Sequence, residues 1–144
     1  MWRKVTRADL AAALSEPEIR AFGQNEDADD TAVERLVANT VSAVRGYVRS
    51  GRRCRMPDDE ALLPEMLVAP AMDVAAFNLL KRFNRCPNEA RTKAYERAIA
   101  LFERLAAGAV VPEDYGEAPD RDTIAYPAFR SRPRLLGRRL EGGL

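Results

Sequence analysis

Residues 24–30 carry three oxygen-bearing side chains at alternate positions: Asn25, Asp27 and Asp29. Alternate oxygen donors of this kind open the calcium loop of an EF-hand. The pattern then breaks. Asp30 stands where that loop needs glycine, and Leu36 where it needs a bidentate glutamate. Capping accounts for these acids instead: Asp29 or Asp30 starts the next helix, and the negative charge complements its dipole. Asp58 and Asp59 are read in the same way, as caps of a helical stretch around residues 60–67. Asp73 lies in an otherwise apolar stretch and is read as a buried structural acid. Such a group needs a partner or a raised pKa, with Arg45 and Tyr47 as the candidate partners. Cys54 and Cys86 match no metal or redox spacing and read as free thiols.

The chain has no histidine. That removes Ser-His-Asp and Cys-His catalysis and nearly all transition-metal sites. No glycine-rich phosphate loop, dinucleotide fingerprint or C-x-x-C motif appears. The sequence therefore predicts a non-enzyme, with no catalytic residues, no metal and no cofactor.

What remains is cationic chemistry. Arg49, Arg52, Arg53 and Arg55 cluster at the end of a predicted helix and form a possible second interface, or complement that helix's dipole. Between residues 121 and 144 there are six arginines against Asp122 and Glu141, in a chain whose formal net charge is +1. A mildly acidic body thus ends in a basic tail, a distribution that suits docking on an acidic partner or on another copy of the body. The closing stretch "RSRPRLLGRRLEGGL" has no core-forming period. Arg130, Arg132, Arg134, Arg138 and Arg139 are its candidate partner-binding cations. Leu135, Leu136 and Leu140 are its apolar anchors.

The rest of the chain predicts the elements that would carry these groups. At 144 residues it suits one folded body that can bury a core without disulfides or metals. "TRAD" starts a first helix at Thr6, with Leu10 and Leu14 inward. Ser15 and Pro17 restart a short turn anchored by Ile19 and Phe22. A second helix over residues 31–50 carries a stripe of Val33, Leu36, Val37, Thr40, Val41, Val44, Tyr47 and Val48, with Arg45 off that stripe and Gly51 at its end. Residues 71–83 are apolar nearly all round and predict a central helix, which bends or restarts at Pro70. A restart there would put Asp73 in the first turn. A further helix starts near Cys86 or Asn88 and stops at Gly108. Its expected buried face is Ala94, Tyr95, Ala98, Leu101, Phe102 and Leu105, and its charges, Arg91 among them, are placed outward. The predicted fold is all-α: a small bundle of about four helices over residues 1–112 and an extended basic arm over residues 113–144. No apolar run approaches a membrane span, and the amino-terminal stretch has no secretory core, which points to the cytoplasm.

Five stretches, taken in order, resemble a family of small structural proteins of Mu-like prophages. "VTRADLAAAL" is like its opening, and "VRGYVRSG" like the end of its second helix. "MDVAAFNLLKR" is similar to its core helix and sets Asp73 on the family's acid. "AYERAIALFERLAAG" and "SRPRLLGRRLEGG" resemble its last helix and its tail. Arg45 stands where an acid is frequent, Leu135 or Leu136 where an aromatic is common, and Gly137 replaces a hydroxyl residue. The resemblance implies a head–tail connector: a ring-forming adaptor of the virion neck, present in the host cytoplasm during assembly. Its implied partners are the portal protein, other neck proteins and further copies of itself, close to DNA and away from membranes. The competing reading is a nucleic-acid-binding module that uses the 45–55 arginine cluster and the basic tail. A third is a small regulator of a soluble partner.

Overall fold

The computed structural model describes residues 1–15, 18 and 30–115. In chain order the elements are β1 (Trp2–Lys4), α1 (Arg7–Ala13), α2 (Asp30–Gly51), β2 (Leu62–Pro64), α3 (Glu65–Arg82) and α4 (Glu89–Ala106). The fold is mostly helical, as expected, but it is not all-α. β1 and β2 form an antiparallel pair with Trp2 opposite Pro64, Arg3 opposite Leu63 and Lys4 opposite Leu62. The pairing extends at both ends, where Glu65 N–H donates to Met1 C=O (2.8 Å) and Val5 N–H to Ala61 C=O (3.1 Å). The helix expected at residues 60–67 is therefore corrected: residues 60 and 61 form a turn, Leu62–Pro64 is a strand, and helix begins only at Glu65.

Each helix has a local cause. The Asp9 carboxylate accepts from the Thr6 N–H at 2.8 Å, which satisfies a donor that opens α1. Ser15 and Glu18 repeat the arrangement, with the Ser15 N–H donating to Glu18 Oε2 at 2.7 Å. α2 buries Val37, Val41, Val44 and Val48 at helical spacing. Buried Thr40 turns its hydroxyl back to the Leu36 carbonyl. α3 buries residues on most sides, Leu67, Ala71, Met72, Ala76 and Leu80 among them, so it is the central element. It runs unbroken through Pro70, which places Asp73 in mid-helix and not in a first turn. In α4 the Asn88 side chain accepts from the Arg91 N–H (2.7 Å). Ala98, Phe102 and Leu105 face the core, and Tyr95 stacks on Phe77 of α3 with ring centroids 4.1 Å apart.

The end of α2 shows where a glycine is required by space. Gly51 closes the helix, but the left-handed residue that follows is Arg52, at φ 50°. Gly51 lies so close to α4 that a Cβ would overlap the Leu105 carbonyl oxygen. Helix propensity alone would make Gly51→Ala stabilising by about 1 kcal/mol. The overlap is with backbone, which cannot swing aside, so we expect Gly51→Ala to destabilise by about 1–3 kcal/mol in urea unfolding. An unchanged or raised midpoint would refute this close approach.

After Gly108 (φ 73°) the chain crosses back over the amino terminus. The Trp2 indole donates to the Glu113 carbonyl at 2.7 Å, and the Trp2 ring meets Tyr115 edge-on at 6.2 Å. Packing on the body thus continues through Tyr115.

Candidate functional site

Four expected interface arginines lie together. Arg49 is in the last turn of α2, and Arg52, Arg53 and Arg55 follow it; all four are exposed. The Arg55 backbone is fixed from both sides. Its N–H donates to Asp114 Oδ1 (2.7 Å) and its carbonyl accepts from Tyr115 N–H (3.1 Å). The Arg53 side chain passes over Gly108 at the end of α4. Arg104, exposed in the last turn of α4, adds to this cationic end of the bundle; sequence reasoning did not single it out. None of these five side chains forms an ion pair among the described residues. The expected partner-binding residues Arg130, Arg132, Arg134, Leu135, Leu136, Arg138, Arg139 and Leu140 lie outside the described residues, as do Asn25, Asp27 and Asp29.

Asp73 is half-buried, not enclosed, and neither expected partner meets it. Tyr47 stacks on Phe102 with centroids 5.7 Å apart. Arg45 was placed outward by its position off the apolar stripe, yet it is 5% exposed and turned inward. Its guanidinium donates to the Pro57 carbonyl (2.7 Å) and the Leu62 carbonyl (2.8 Å), which ties the loop before β2 to α2. Asp73 pairs with Arg91 of α4 instead, at 3.6 Å. Burial pushes the Asp73 carboxyl above its ordinary value, and Arg91 offsets part of that rise.

Arg91 was also expected to point outward. It is the hub of this side of the bundle. Nη2 and Nε donate to the two oxygens of Glu18 at 2.7 and 3.2 Å, and Nη2 also reaches the Ala13 carbonyl at 3.0 Å. Burial alone would raise the Glu18 carboxyl; hydrogen bonds from Arg91 and Ser15 outweigh it and hold the group below its usual range. The sequence offered Arg45 only as a partner for Asp73 and gave no signal for Arg91, because both lie off the apolar stripes of their helices.

Among the described residues the other titratable groups form no reactive constellation. Burial and the Asp114 charge both push the Cys54 thiol up, away from a reactive thiolate. Cys86 is exposed. Asp59 accepts from the Ala61 N–H at 2.9 Å, a turn contact before β2 and not the helix cap expected of it. Among the described residues no group of three His, Cys, Asp or Glu side chains is placed to hold a metal, and no helix is long and apolar enough to cross a membrane.

Between the β1–α1 corner and α2 lies an open cleft of about 640 Å³. Its buried floor is Val5, Val37 and Val41; the exposed residues that line it are Ala38, the acids Glu34 and Glu60, and the cations Lys4 and Arg7 among others. Apolar clefts with a few polar rim groups are the usual form of a binding site.

Comparison with known proteins gives one finding. A family model described as "Bacteriophage Mu, Gp36" matches residues 5–124. The match takes in α1 to α4 and the segment that returns to Trp2, and it leaves out residues 125–144. No curated protein and no solved structure matches the chain.

Proposed function

We propose that this chain, which belongs to the bacteriophage Mu Gp36 family, is a phage virion assembly protein and acts as a head–tail connector. In this reading it forms a ring in the virion neck, against the portal, and passes through the host cytoplasm during assembly. The carrying observation is the family match, because it covers the folded body almost from end to end. Physical features of the chain agree with a binding role. The body has one core and a charged exterior. The carboxy-terminal segment has docking side chains without a period to fold on, a composition suited to ordering on a partner. Its arginines can grip carboxylates of a partner chain in the assembly bidentately. No catalysis and no cofactor belong to this reading.

The test is co-sedimentation with purified portal rings of the same phage at moderate salt, comparing the full chain with a chain ending at Asp120. We expect the full chain to bind and the shortened one to bind at least tenfold more weakly. Equal binding would move the contact from the tail to the bundle. Absence of binding by either chain would overturn the connector reading.

The exposed arginines at the end of α2 favour one further reading, contact with nucleic acid through Arg49, Arg52, Arg53 and Arg55. Phosphate contacts release counterions, so DNA retention by this end would fall steeply with salt. A chain that retains DNA at the same salt, while ignoring portal rings, would put this reading first.

A further inference from the structure

We propose that the cleft between the β1–α1 corner and α2 receives residues 130–140 of a neighbouring copy of this chain. The inference rests on the ring reading above and adds the site through which copies would join.

Four observations meet at this cleft. The first is its chemistry. Val5, Val37 and Val41 make an apolar floor, and the exposed wall position Ala38 is small, so the cleft has room for leucine side chains such as Leu135, Leu136 and Leu140. The second is charge. Glu34 and Glu60 are exposed and form no ion pair among the described residues, so two of the five arginines of residues 130–140 have carboxylates to meet; exposed Lys4 and Arg7 also line the cleft, which is balanced in charge and not acidic overall.

The third is an open strand edge. Met1 with Glu65 and Val5 with Ala61 are hydrogen-bonded pairs, and in an antiparallel ladder bonded and non-bonded pairs alternate. The backbone N–H and C=O of Lys4 therefore turn away from β2, toward the side where an added strand would pair. β2's own outer edge is different, because Arg45 covers its Leu62 carbonyl. An extended peptide laid along β1 would gain main-chain hydrogen bonds at Lys4, which itself lines the cleft beside Val5.

The fourth is reach. The described chain ends at Tyr115, whose ring touches Trp2, only two residues before Lys4. At about 3.3 Å per residue Trp2 is roughly 7 Å along the strand from Lys4, and the Tyr115 ring centroid lies 6.2 Å from that of Trp2. Residue 130 comes fifteen positions after Tyr115, a span of up to about 50 Å when extended. A body of this size has a radius of gyration of about 13 Å. The spacer is far longer than a return to its own cleft requires, and it is long enough to cross to the next copy.

Two experiments on the full chain decide this. In the first, Ala38→Cys is combined with Leu136→Cys in a chain carrying Cys54→Ser and Cys86→Ser, and assembled portal-bound material is oxidised. We expect a ladder of copy-to-copy disulfides on a non-reducing gel. Asn78→Cys, exposed on α3 away from the cleft, should give none with Leu136→Cys. Disulfides confined within one chain, equal crosslinking at Asn78, or none at Ala38 in particles that hold the variant would each overturn the proposal. In the second, a synthetic peptide of residues 130–144 is titrated into the free full chain and followed by the emission of Trp2, its single tryptophan. Saturable binding that weakens at least tenfold in the Glu34→Lys, Glu60→Lys double variant supports the cleft; binding unchanged in that variant, or no binding, overturns it. The second readout needs no particle. Peptide binding by a chain that never enters virions would thus separate failure of the connector reading from failure of the cleft.

Discussion

Arg45→Ala should cost the protein about 3–5 kcal/mol, enough to lower the folded-to-unfolded ratio by roughly two to four orders of magnitude. Arg45 is 5% exposed and donates to two backbone carbonyls, those of Pro57 and Leu62. Removing it leaves both carbonyls without that donor in a packed region, at about 1–3 kcal/mol for each buried group left unsatisfied. The lost stem adds a cavity. Arg45→Lys should recover less than half of the loss, because a single ammonium cannot reproduce the fork that spans two acceptors. Urea unfolding gives both numbers. Hydrogen exchange should show protection lost first at Leu63 and Arg3, whose pairing depends on a fixed β2. The consequence reaches the cleft, since Glu60 and Ala61 lie within the loop that Arg45 holds. If Arg45→Ala unfolds at the wild-type midpoint, the guanidinium does not hold this loop in solution.

Arg45 also shows what a sequence hides. The stripe on α2, the central character of α3 and the limits of α4 follow from spacing and caps, because burial of a helix face is periodic and local. Nothing periodic marks an arginine that turns its head inward to reach carbonyls from another part of the chain. Arg91 therefore reads as a surface charge and Arg45 at most as a partner for Asp73, although each stitches together segments distant in sequence. The strands were hidden for a related reason. Each has three residues, too few for an alternating pattern to register, and Trp2–Lys4 becomes a strand only because Leu62–Pro64 lies beside it. The candidate interfaces divide in the same way. The arginines at the end of α2 are a local cluster and were legible. The cleft is made by three segments that meet only in the folded chain, and no single stretch announces it.

Arg91→Met should destabilise by about 3 kcal/mol at neutral pH, near the lower end for breaking a buried pair because the side chains of Arg91 and Glu18 each keep 12% of their exposure. The loss should also change with pH in a definite direction. In the wild type Glu18 titrates below its ordinary value of 4.5. A carboxyl depressed in this way contributes stability that is fully present above the unfolded value and is lost as pH falls through the folded one. Asp73 works in the opposite sense. Its folded value is raised, so its ionised form costs stability at neutral pH, and that cost disappears on acidification. Arg91 holds Glu18 by two short contacts and Asp73 only at 3.6 Å, so the Glu18 contribution sets the sign. In Arg91→Met the burial of Glu18 remains while its largest compensating partner is gone, so its carboxyl should rise. The gap between wild type and variant should then be widest near neutrality and close as pH drops below about 4. Asp73→Asn, by contrast, should move neutral stability by less than about 1 kcal/mol, because it removes a costly charge together with a weak attraction. A gap that stays constant from neutral to acid pH would mean that packing of the Arg91 stem, and not its grip on Glu18, fastens the end of α1 to α4. In that case α1 would be held by its apolar contacts and by the Arg3–Asp9 ion pair to β1 at 2.8 Å.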